Sequence, residues 1–223
     1  MFGGYTGTAT TTKSNSNDTW ALSLKKGQRS QWKKLTTTGT RPQANRAHVC
    51  VYDSYNNRLA VFGGWDGTTY LNAPWFLSLP TNGSTPTWSQ PTVTGSPPSA
   101  TGQLLPQAVF DPSTAVANQG RMILYGGWFS TDTDIDAVYE LTLPATGSWA
   151  WNNLGLTTGP SATGQGRDSA AVIYDEDSDA MIMHGGHVNA NVDELWKLTL
   201  GVSPAWSQLS PTGTSPGTLT GHA

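Results

Sequence analysis

Leu59-Ala-Val-Phe-Gly-Gly-Trp65 is the stretch of sequence that decides the fold. An apolar run that ends in two glycines is typical of a buried strand followed by a turn, because glycine adopts positive φ without steric cost. The same pattern recurs three more times, as Met1-Phe-Gly-Gly-Tyr5, Met122-Ile-Leu-Tyr-Gly-Gly-Trp128 and Met181-Ile-Met-His-Gly-Gly-His187. Four copies of one pattern indicate a repeat protein.

The spacing of the second glycines gives the length of the repeat. Gly4, Gly64, Gly127 and Gly186 are separated by 60, 63 and 59 residues. A period of this length that holds several strands predicts propeller blades, because a small sheet buries its faces only against its neighbours. We therefore predict an all-β fold of four-stranded antiparallel blades. The four blade-like units span residues 1–45, 46–102, 103–166 and 167–221, and residues 222–223 begin a further strand.

Three further signals repeat in register with the glycines. An Asn or Asp precedes each third strand, an aromatic residue lies in that strand, and a Trp lies in the fourth. The Asn and Asp residues are Asn17, Asn72, Asp136 and Asp193. The ring pairs are Trp20 and Trp32, Trp75 and Trp88, Tyr139 and Trp151, and Trp196 and Trp206. We expect these rings to pack between blades.

This combination of features resembles the kelch repeat over nearly the whole chain. The resemblance implies a kelch-type β-propeller, with its blades around a central channel. It also implies a structural role for the diglycines, which are Gly3, Gly4, Gly63, Gly64, Gly126, Gly127, Gly185 and Gly186. The repeats are longer than usual for the family, mainly through Thr-, Gly- and Pro-rich connectors such as residues 94–99.

The first and last residues of the sequence do not add up to one whole repeat. The chain starts inside a second strand, and Gly221-His-Ala223 aligns with the beginning of a first strand at Ala47-His-Val49. Two expectations follow. Either the sequence is a segment of a larger propeller, or it forms an incomplete ring whose open blade edges pair with another copy.

The composition of the chain limits the classes of partner that we expect it to bind. A net charge of −3 and a pI near 5.7 give no electrostatic support for binding nucleic acid or an anionic membrane. No apolar run reaches the length of a membrane span, so we predict no membrane insertion. Cys50 is the only cysteine, which excludes an intrachain disulfide and a zinc cluster built from cysteines. Abundant Thr and Ser with few charges favour an extracellular or cell-surface location.

The residues that follow the diglycines are the candidate ligand-binding residues. In a four-stranded meander the loops after the second and fourth strands emerge on one face, so Tyr5, Trp65, Trp128 and His187 should share a face with the connectors between blades. Such rings either stack on a sugar or peptide, or merely cover the diglycine turn. Among these positions we single out Trp65 with Asp66, and Trp128 with Phe129.

Other polar patterns give weaker signals. Residues 132–136 resemble a calcium loop but lack the Gly and Glu that an EF-hand needs. His184 and His187 flank a diglycine without a third ligand beside them in sequence. We predict no metal, cofactor or catalytic residue. Arg46 and Arg167 are expected to begin equivalent strands and to bond carbonyl groups between blades.

We interpret the chain as a non-enzymatic binding module that holds a protein segment or a glycan on the face that bears the post-diglycine rings. Two alternatives stay open. One is an enzyme, of the galactose-oxidase or lyase type, that uses the same channel mouth. The other is a structural subunit that assembles through its open blade edges.

Overall fold

The computed structural model describes residues 1–7, 12–112, 119–129, 133–160, 166–215 and 217. These residues form β-strands and turns without helices, which confirms the predicted all-β fold. No helix long and apolar enough to cross a membrane occurs in this part of the chain. The further strand predicted at 222–223 lies outside the described residues.

The strands follow the chain as a series of small sheets. The first unit holds β1 (Tyr5–Thr6), β2 (Ser14–Asn15), β3 (Trp20–Ser23) and β4 (Gln31–Lys34). The second holds β5 (Val49–Asp53), β6 (Arg58–Phe62), β7 (Trp75–Ser78) and β8 (Thr87–Ser89), with β9 (Val93–Thr94) in the connector that follows.

The third unit holds β10 (Gln107–Asp111), β11 (Gly120–Tyr125), β12 (Trp128–Phe129), β13 (Thr133–Asp134), β14 (Val138–Leu143) and β15 (Trp149–Asn153). The fourth holds β16 (Ala171–Asp175), β17 (Ala180–His184), β18 (His187–Val188), β19 (Ala190–Asn191), β20 (Leu195–Thr199) and β21 (Ala205–Leu209).

Each complete blade is an antiparallel meander of four strands. The strand orders are β5-β6-β7-β8, β10-β11-β14-β15 and β16-β17-β20-β21. In the first unit β3 pairs with β4, and a single bridge from Phe2 to Thr19 marks its second strand. The sheets of the described residues do not join into a closed ring. This architecture is consistent with kelch-type propeller blades.

Two connectors add an edge to the blade that follows them. β9 pairs in parallel with β15, with Val93 opposite Trp149. The preceding connector makes the equivalent parallel bridge between Thr38 and Thr87. Main-chain hydrogen bonds from these two connectors therefore join the first unit to the second and the second unit to the third.

The hydrophobic core lies between blades. One residue from each second strand, Phe2, Phe62 or Tyr125, packs against the Trp in the fourth strand of the next unit. The ring centroids are 4.7 Å apart for Phe2 and Trp88, 4.8 Å for Phe62 and Trp151, and 5.2 Å for Tyr125 and Trp206. The prediction of packing between units is confirmed for Trp88, Trp151 and Trp206, but it was wrong for Trp32, which is 56% exposed.

The diglycines bring the backbones of adjacent units into contact. The N–H groups of Gly4, Gly64 and Gly127 donate to the carbonyl groups of Asn45, Gln103 and Arg167, which lie at the boundary with the next unit, at 2.8, 2.7 and 3.0 Å. Both glycines of each pair have positive φ. A Cβ at Gly63 would lie 2.8 Å from the Gln103 carbonyl oxygen, and one at Gly126 would overlap that of Arg167. Glycine is required there by both conformation and space.

We call the three residues that accept these bonds anchor residues, and two of them also bond to their own blade. Gln103 Nε2 donates to the Gly126 carbonyl at 3.3 Å, and Arg167 Nη1 donates to that of Gly185 at 3.0 Å. Asn45, Gln103 and Arg167 are almost completely buried. The prediction that Arg46 and Arg167 are equivalent was therefore wrong by one residue, because Arg46 pairs with Trp65 and corresponds to Leu104 and Asp168.

Buried ion pairs join the outer parts of two interfaces. In the second unit Arg58 Nε donates to Asp53 at 2.8 Å, and its Nη2 donates to the Leu143 carbonyl of the third unit at 2.8 Å. Arg121 repeats the arrangement, with Asp111 at 2.7 Å and the Leu200 carbonyl of the fourth unit at 2.6 Å. Each guanidinium thus links two blades.

We expect Gly126→Ala to destabilise the protein much more than Gly147→Ala. Both glycines have positive φ, but a Cβ added at Gly147 would have no atom within 4 Å. Left-handed backbone strain alone costs about 1–2 kcal/mol, and overpacking against Arg167 should add at least about 1–3 kcal/mol to the loss at Gly126. Denaturant unfolding measures both losses, and equal losses would contradict the proposed inter-blade contact.

We expect His48 to make the protein acid-sensitive. Burial lowers its pKa from 6.5 to about 4, against an opposing hydrogen bond with the Phe2 backbone. The unfolded chain therefore binds a proton more readily, so the free energy of unfolding is highest above pH 6.5 and falls as the pH decreases toward 4.

The loss should not exceed about 3 kcal/mol. In urea titrations across this pH range, His48→Gln should flatten the dependence, whereas the exposed His187→Gln should preserve it. An unchanged slope in His48→Gln would show that another group is responsible.

Candidate functional site

A short hairpin begins at each post-diglycine residue, that is at Tyr5, Trp65, Trp128 and His187. Trp65 and Arg46 exchange two backbone hydrogen bonds, of 2.9 and 3.1 Å, and Trp128 exchanges two with Leu104. Arg46 and Leu104 directly follow the connectors that lead into their blades. The hairpins therefore leave the blades at the same end as the connectors.

In each hairpin, the post-diglycine residue has a partner on the opposite strand. The partner is an amide or carboxyl residue in three units and a tyrosine in the second. The pairs are Tyr5 with Asn15, Trp65 with Tyr70, Trp128 with Asp134, and His187 with Asn191. The repeated pairing shows that these four residue pairs occupy equivalent positions in their units.

Rings from two units form a continuous surface. The centroids of Trp65 and Tyr70 are 4.6 Å apart, and Tyr70 lies edge-on to Trp128 at 5.7 Å. Trp65, Tyr70 and Trp128 are all half-buried. Tyr70 therefore bridges the second and third units, and holds both tryptophans in one row.

Arg46 extends this row to the first unit. Its guanidinium lies 4.3 Å from the centroid of the Tyr5 ring, and its Nη1 donates to Asn15 Oδ1 at 3.3 Å. Asn15 Nδ2 in turn donates to the Trp65 carbonyl at 2.9 Å. Cation–π contact and hydrogen bonding thus order the Arg46 side chain. We call Tyr5, Arg46, Trp65, Tyr70 and Trp128 the aromatic row.

Asp66 shapes the turn between the two rings of the second hairpin. Its carboxylate accepts hydrogen bonds from the N–H and hydroxyl groups of both Thr68 and Thr69, at 2.7 to 3.0 Å. Desolvation would raise the pKa of Asp66, but these bonds outweigh it and lower the pKa to about 2. Asp66 thus stays ionised and engaged with its own loop, and its contact with a ligand stays a prediction.

The other candidate residues take different positions. Phe129 follows Trp128 in β12, where its backbone pairs with Thr133. His187 Nδ1 lies 3.8 Å from Asp168, whereas His184 Nε2 lies 2.9 Å from Asp193. The two imidazoles therefore contact separate carboxylates. Among the described residues no group of three or more His, Cys, Asp or Glu side chains could hold a metal ion, and Asp132 of the calcium-like loop lies outside them.

Sequence analysis missed Asn15, Arg46 and Tyr70 as members of this site. A signal for two of them was present, because Asn15 and Tyr70 each stand two residues before the Asn that precedes a third strand. Asp134 and Asn191 keep the same spacing. Arg46 carried no comparable signal, since Leu104 and Asp168 occupy its position in the other units.

The chemistry of the row suits a ligand with both apolar and anionic groups. Tyr5 is 52% exposed, so one ring face is open to solvent beside a fixed cation. Tryptophan and tyrosine contribute large contact areas at little cost in side-chain entropy. An arginine that is already ordered by neighbours binds a carboxylate with a smaller entropic loss.

Comparisons with known proteins support the fold independently. One solved structure of similar shape is a chain in the cryo-EM structure of RAG in complex with one melted RSS and one unmelted RSS. It superposes with a TM-score of 0.59 at 14% identity, over 93% of this chain and 66% of that chain. At this identity the likeness concerns the fold alone.

Dynein regulatory complex subunit 7 of Chlamydomonas reinhardtii is a curated relative. It is 30% identical over 115 residues, which are 51% of this chain and 8% of that protein. The matched region is thus a small part of the relative.

The family model described as the KLHDC2/KLHL20/DRC7 Kelch-repeats domain matches residues 1–223. These comparisons give no specific support to glycan binding or to an enzyme. The match covers the whole sequence, and the chain belongs to the kelch-repeat family.

Proposed function

We propose that the chain is a protein-binding module that holds an extended segment of a partner protein along the aromatic row. The observation that carries this proposal is the continuity of the row. Tyr5, Trp65 and Trp128 come from three units, and Arg46 and Tyr70 connect them by direct contacts. A surface that crosses blade boundaries fits a chain-like ligand better than a compact one.

The backbone supports the same proposal. Trp65 and Trp128 are each held by two main-chain hydrogen bonds to the start of the first strand of their blade. The Asp66 turn fixes the loop between Trp65 and Tyr70. Rings that are positioned before binding lose little conformational freedom when a partner docks.

The family membership is consistent with this function, because kelch domains are typically protein-interaction modules. The curated relative is named as a subunit of a regulatory complex. We infer that the partner segment contains apolar or aromatic side chains that stack on Trp65 and Trp128, and a carboxylate that reaches Arg46.

We expect Trp65→Ala and Trp128→Ala each to weaken binding of a selected peptide by about 30-fold, the effect of losing an interface hot spot. The probe is a set of peptides selected from a random-sequence display library against the wild-type chain, with affinities measured by fluorescence anisotropy. Trp32→Ala is the matched control, because Trp32 is an exposed tryptophan that is not part of the row.

The variants should melt close to the wild-type temperature. Unchanged peptide affinity in both row variants would overturn the proposal. A glycan array is the competing probe, and binding of glycans alone, lost in the row variants, would replace the protein segment with a sugar.

Arg46 provides a separate prediction about the charge of the partner. Replacing the acidic residues of a selected peptide by their amides should weaken its binding to the wild-type chain by about 10-fold, as expected for a charge-assisted hydrogen bond. The same replacement should have little effect on binding to Arg46→Gln. A double-mutant cycle measures the coupling, and zero coupling would exclude the Arg46–carboxylate contact.

A further inference from the structure

The interface between consecutive units has two halves that recur along the chain. The leading half lies on the earlier unit and presents the last residue of its second strand. The following half lies on the later unit and presents its fourth-strand Trp and the Leu that pairs with it in the third strand. In the second unit the following half consists of Trp88 and Leu77, which pair across β7 and β8 and are 1% and 0% exposed. They pack against Phe2 of the first unit, and Trp88 Nε1 donates to Thr19 Oγ1 at 3.3 Å.

The first unit exposes a following half that nothing in the described chain covers. Leu22 and Trp32 pair across β3 and β4 as Leu77 and Trp88 do across β7 and β8. Trp32 is nevertheless 56% exposed, and Leu24 is 75% exposed. We call this surface the N-terminal end face, and it consists of Leu22, Leu24 and Trp32.

The fourth unit exposes the complementary leading half. Ile173 is 65% exposed, whereas Val51 and Val109 at the same position in the second and third units are 6% and 5% exposed. His184 occupies the position that Phe62 and Tyr125 hold in those units.

A cavity of about 420 Å³ adjoins His184 and is lined also by Leu195, Leu209 and Gly213. We call the surface of Ile173, His184, Leu195 and Gly213 the C-terminal end face.

The third unit shows what such a cavity accommodates. There Trp206 of the fourth unit packs against Tyr125, and the two rings line a common cavity with Val138 and Gly159. A Cβ at Gly159 would lie 2.8 Å from Trp206 Cδ1, whereas a Cβ at Gly213 would meet no atom within 4 Å. The cavity at the C-terminal end face thus has the lining that receives a fourth-strand tryptophan.

The charges of the two end units are opposite. Residues 1–45 contain seven Lys and Arg residues and one acidic residue, Asp18. Residues 167–215 contain seven Asp and Glu residues and two basic ones, Arg167 and Lys197. The net charge of the whole chain, −3, conceals this separation. Opposite net charges on two units attract each other, and this accelerates and orients their association.

We propose that copies of this chain associate head to tail, with the N-terminal end face of one copy on the C-terminal end face of another. Trp32 of one copy enters the cavity beside His184 and Gly213 of the other. The Thr212–Gly213 connector then pairs in parallel with β4, as Thr38 does with Thr87. The contact is heterologous, because two different surfaces meet. Two copies together contain twice four units. This number lies at the upper end of the range for closed propellers, which hold roughly four to eight blades.

The experiment measures mass in solution by sedimentation velocity and light scattering over a concentration series. The wild-type mass should rise above 23.7 kDa with concentration. Trp32→Asp and Ile173→Asp should each weaken self-association by at least about 10-fold, since each buries a charge in an apolar contact. Val202→Asp is the control, because Val202 is fully exposed in the β20–β21 turn, away from both faces.

Mixing the two variants gives the decisive result. Trp32→Asp retains an intact C-terminal end face and Ile173→Asp an intact N-terminal one, so an equimolar mixture should form a one-to-one dimer although neither variant dimerises alone. High salt should weaken wild-type association, because it screens the opposite charges.

A wild-type chain that stays monomeric at every concentration would overturn the proposal. So would a mixture that does not recombine, or association that increases with salt. Trp32→Asp should still bind peptides at the aromatic row. Peptide binding and self-association are therefore tested separately, and either proposal can fail without the other.

Discussion

A backbone contact between neighbouring units is the constraint on which the rest of the structure depends. In the first three diglycines, the N–H of the second glycine donates to a carbonyl at the boundary with the next unit, at 2.7 to 3.0 Å, and the first glycine leaves no space for a Cβ. This contact sets how closely two sheets approach. Because the approach is fixed by main-chain atoms, the ring pairs farther out recur at centroid distances of 4.7 to 5.2 Å despite different side chains.

The anchor residues show how one geometric task is performed by different chemistry. Asn45, Gln103 and Arg167 all present a carbonyl to the preceding diglycine, and the latter two donate to a glycine carbonyl of their own blade. An amide and a guanidinium are interchangeable here because each supplies an N–H donor at the end of a buried side chain. Arg167 carries a charge as well, which Glu194 balances at 2.5 Å. Because this position accepts three residue types, no single residue recurs there in the sequence.

This difference explains what the sequence could and could not predict. Gly-Gly, the apolar strands and the third- and fourth-strand rings are requirements of backbone conformation and apolar burial, which restrict residue identity and therefore recur visibly. Ala47, Leu105 and Ser169 also adopt positive φ, at 57°, 54° and 55°, at equivalent positions before their first strands. No glycine marks these positions, because the paired bonds around them impose the conformation. The candidate site was predicted through Trp65 and Trp128, whereas the contacts of Arg46 with Tyr5 and Asn15 arise from tertiary structure alone.

The aromatic row and the end faces both expose apolar side chains, but for different structural reasons. In the row, Trp65 and Trp128 belong to hairpins that are bonded to their own blades, so their half-exposed rings are held regardless of what lies beyond the blade. At the ends, Trp32 and Ile173 are mostly exposed, whereas Trp88 and Trp151, and Val51 and Val109, are buried at the equivalent positions of the second and third units. Exposure at a position whose equivalents are buried indicates an incomplete interface, whereas exposure of a preorganised hairpin indicates a surface for a separate ligand. The repeat itself supplies this distinction, because each blade is a reference for the others.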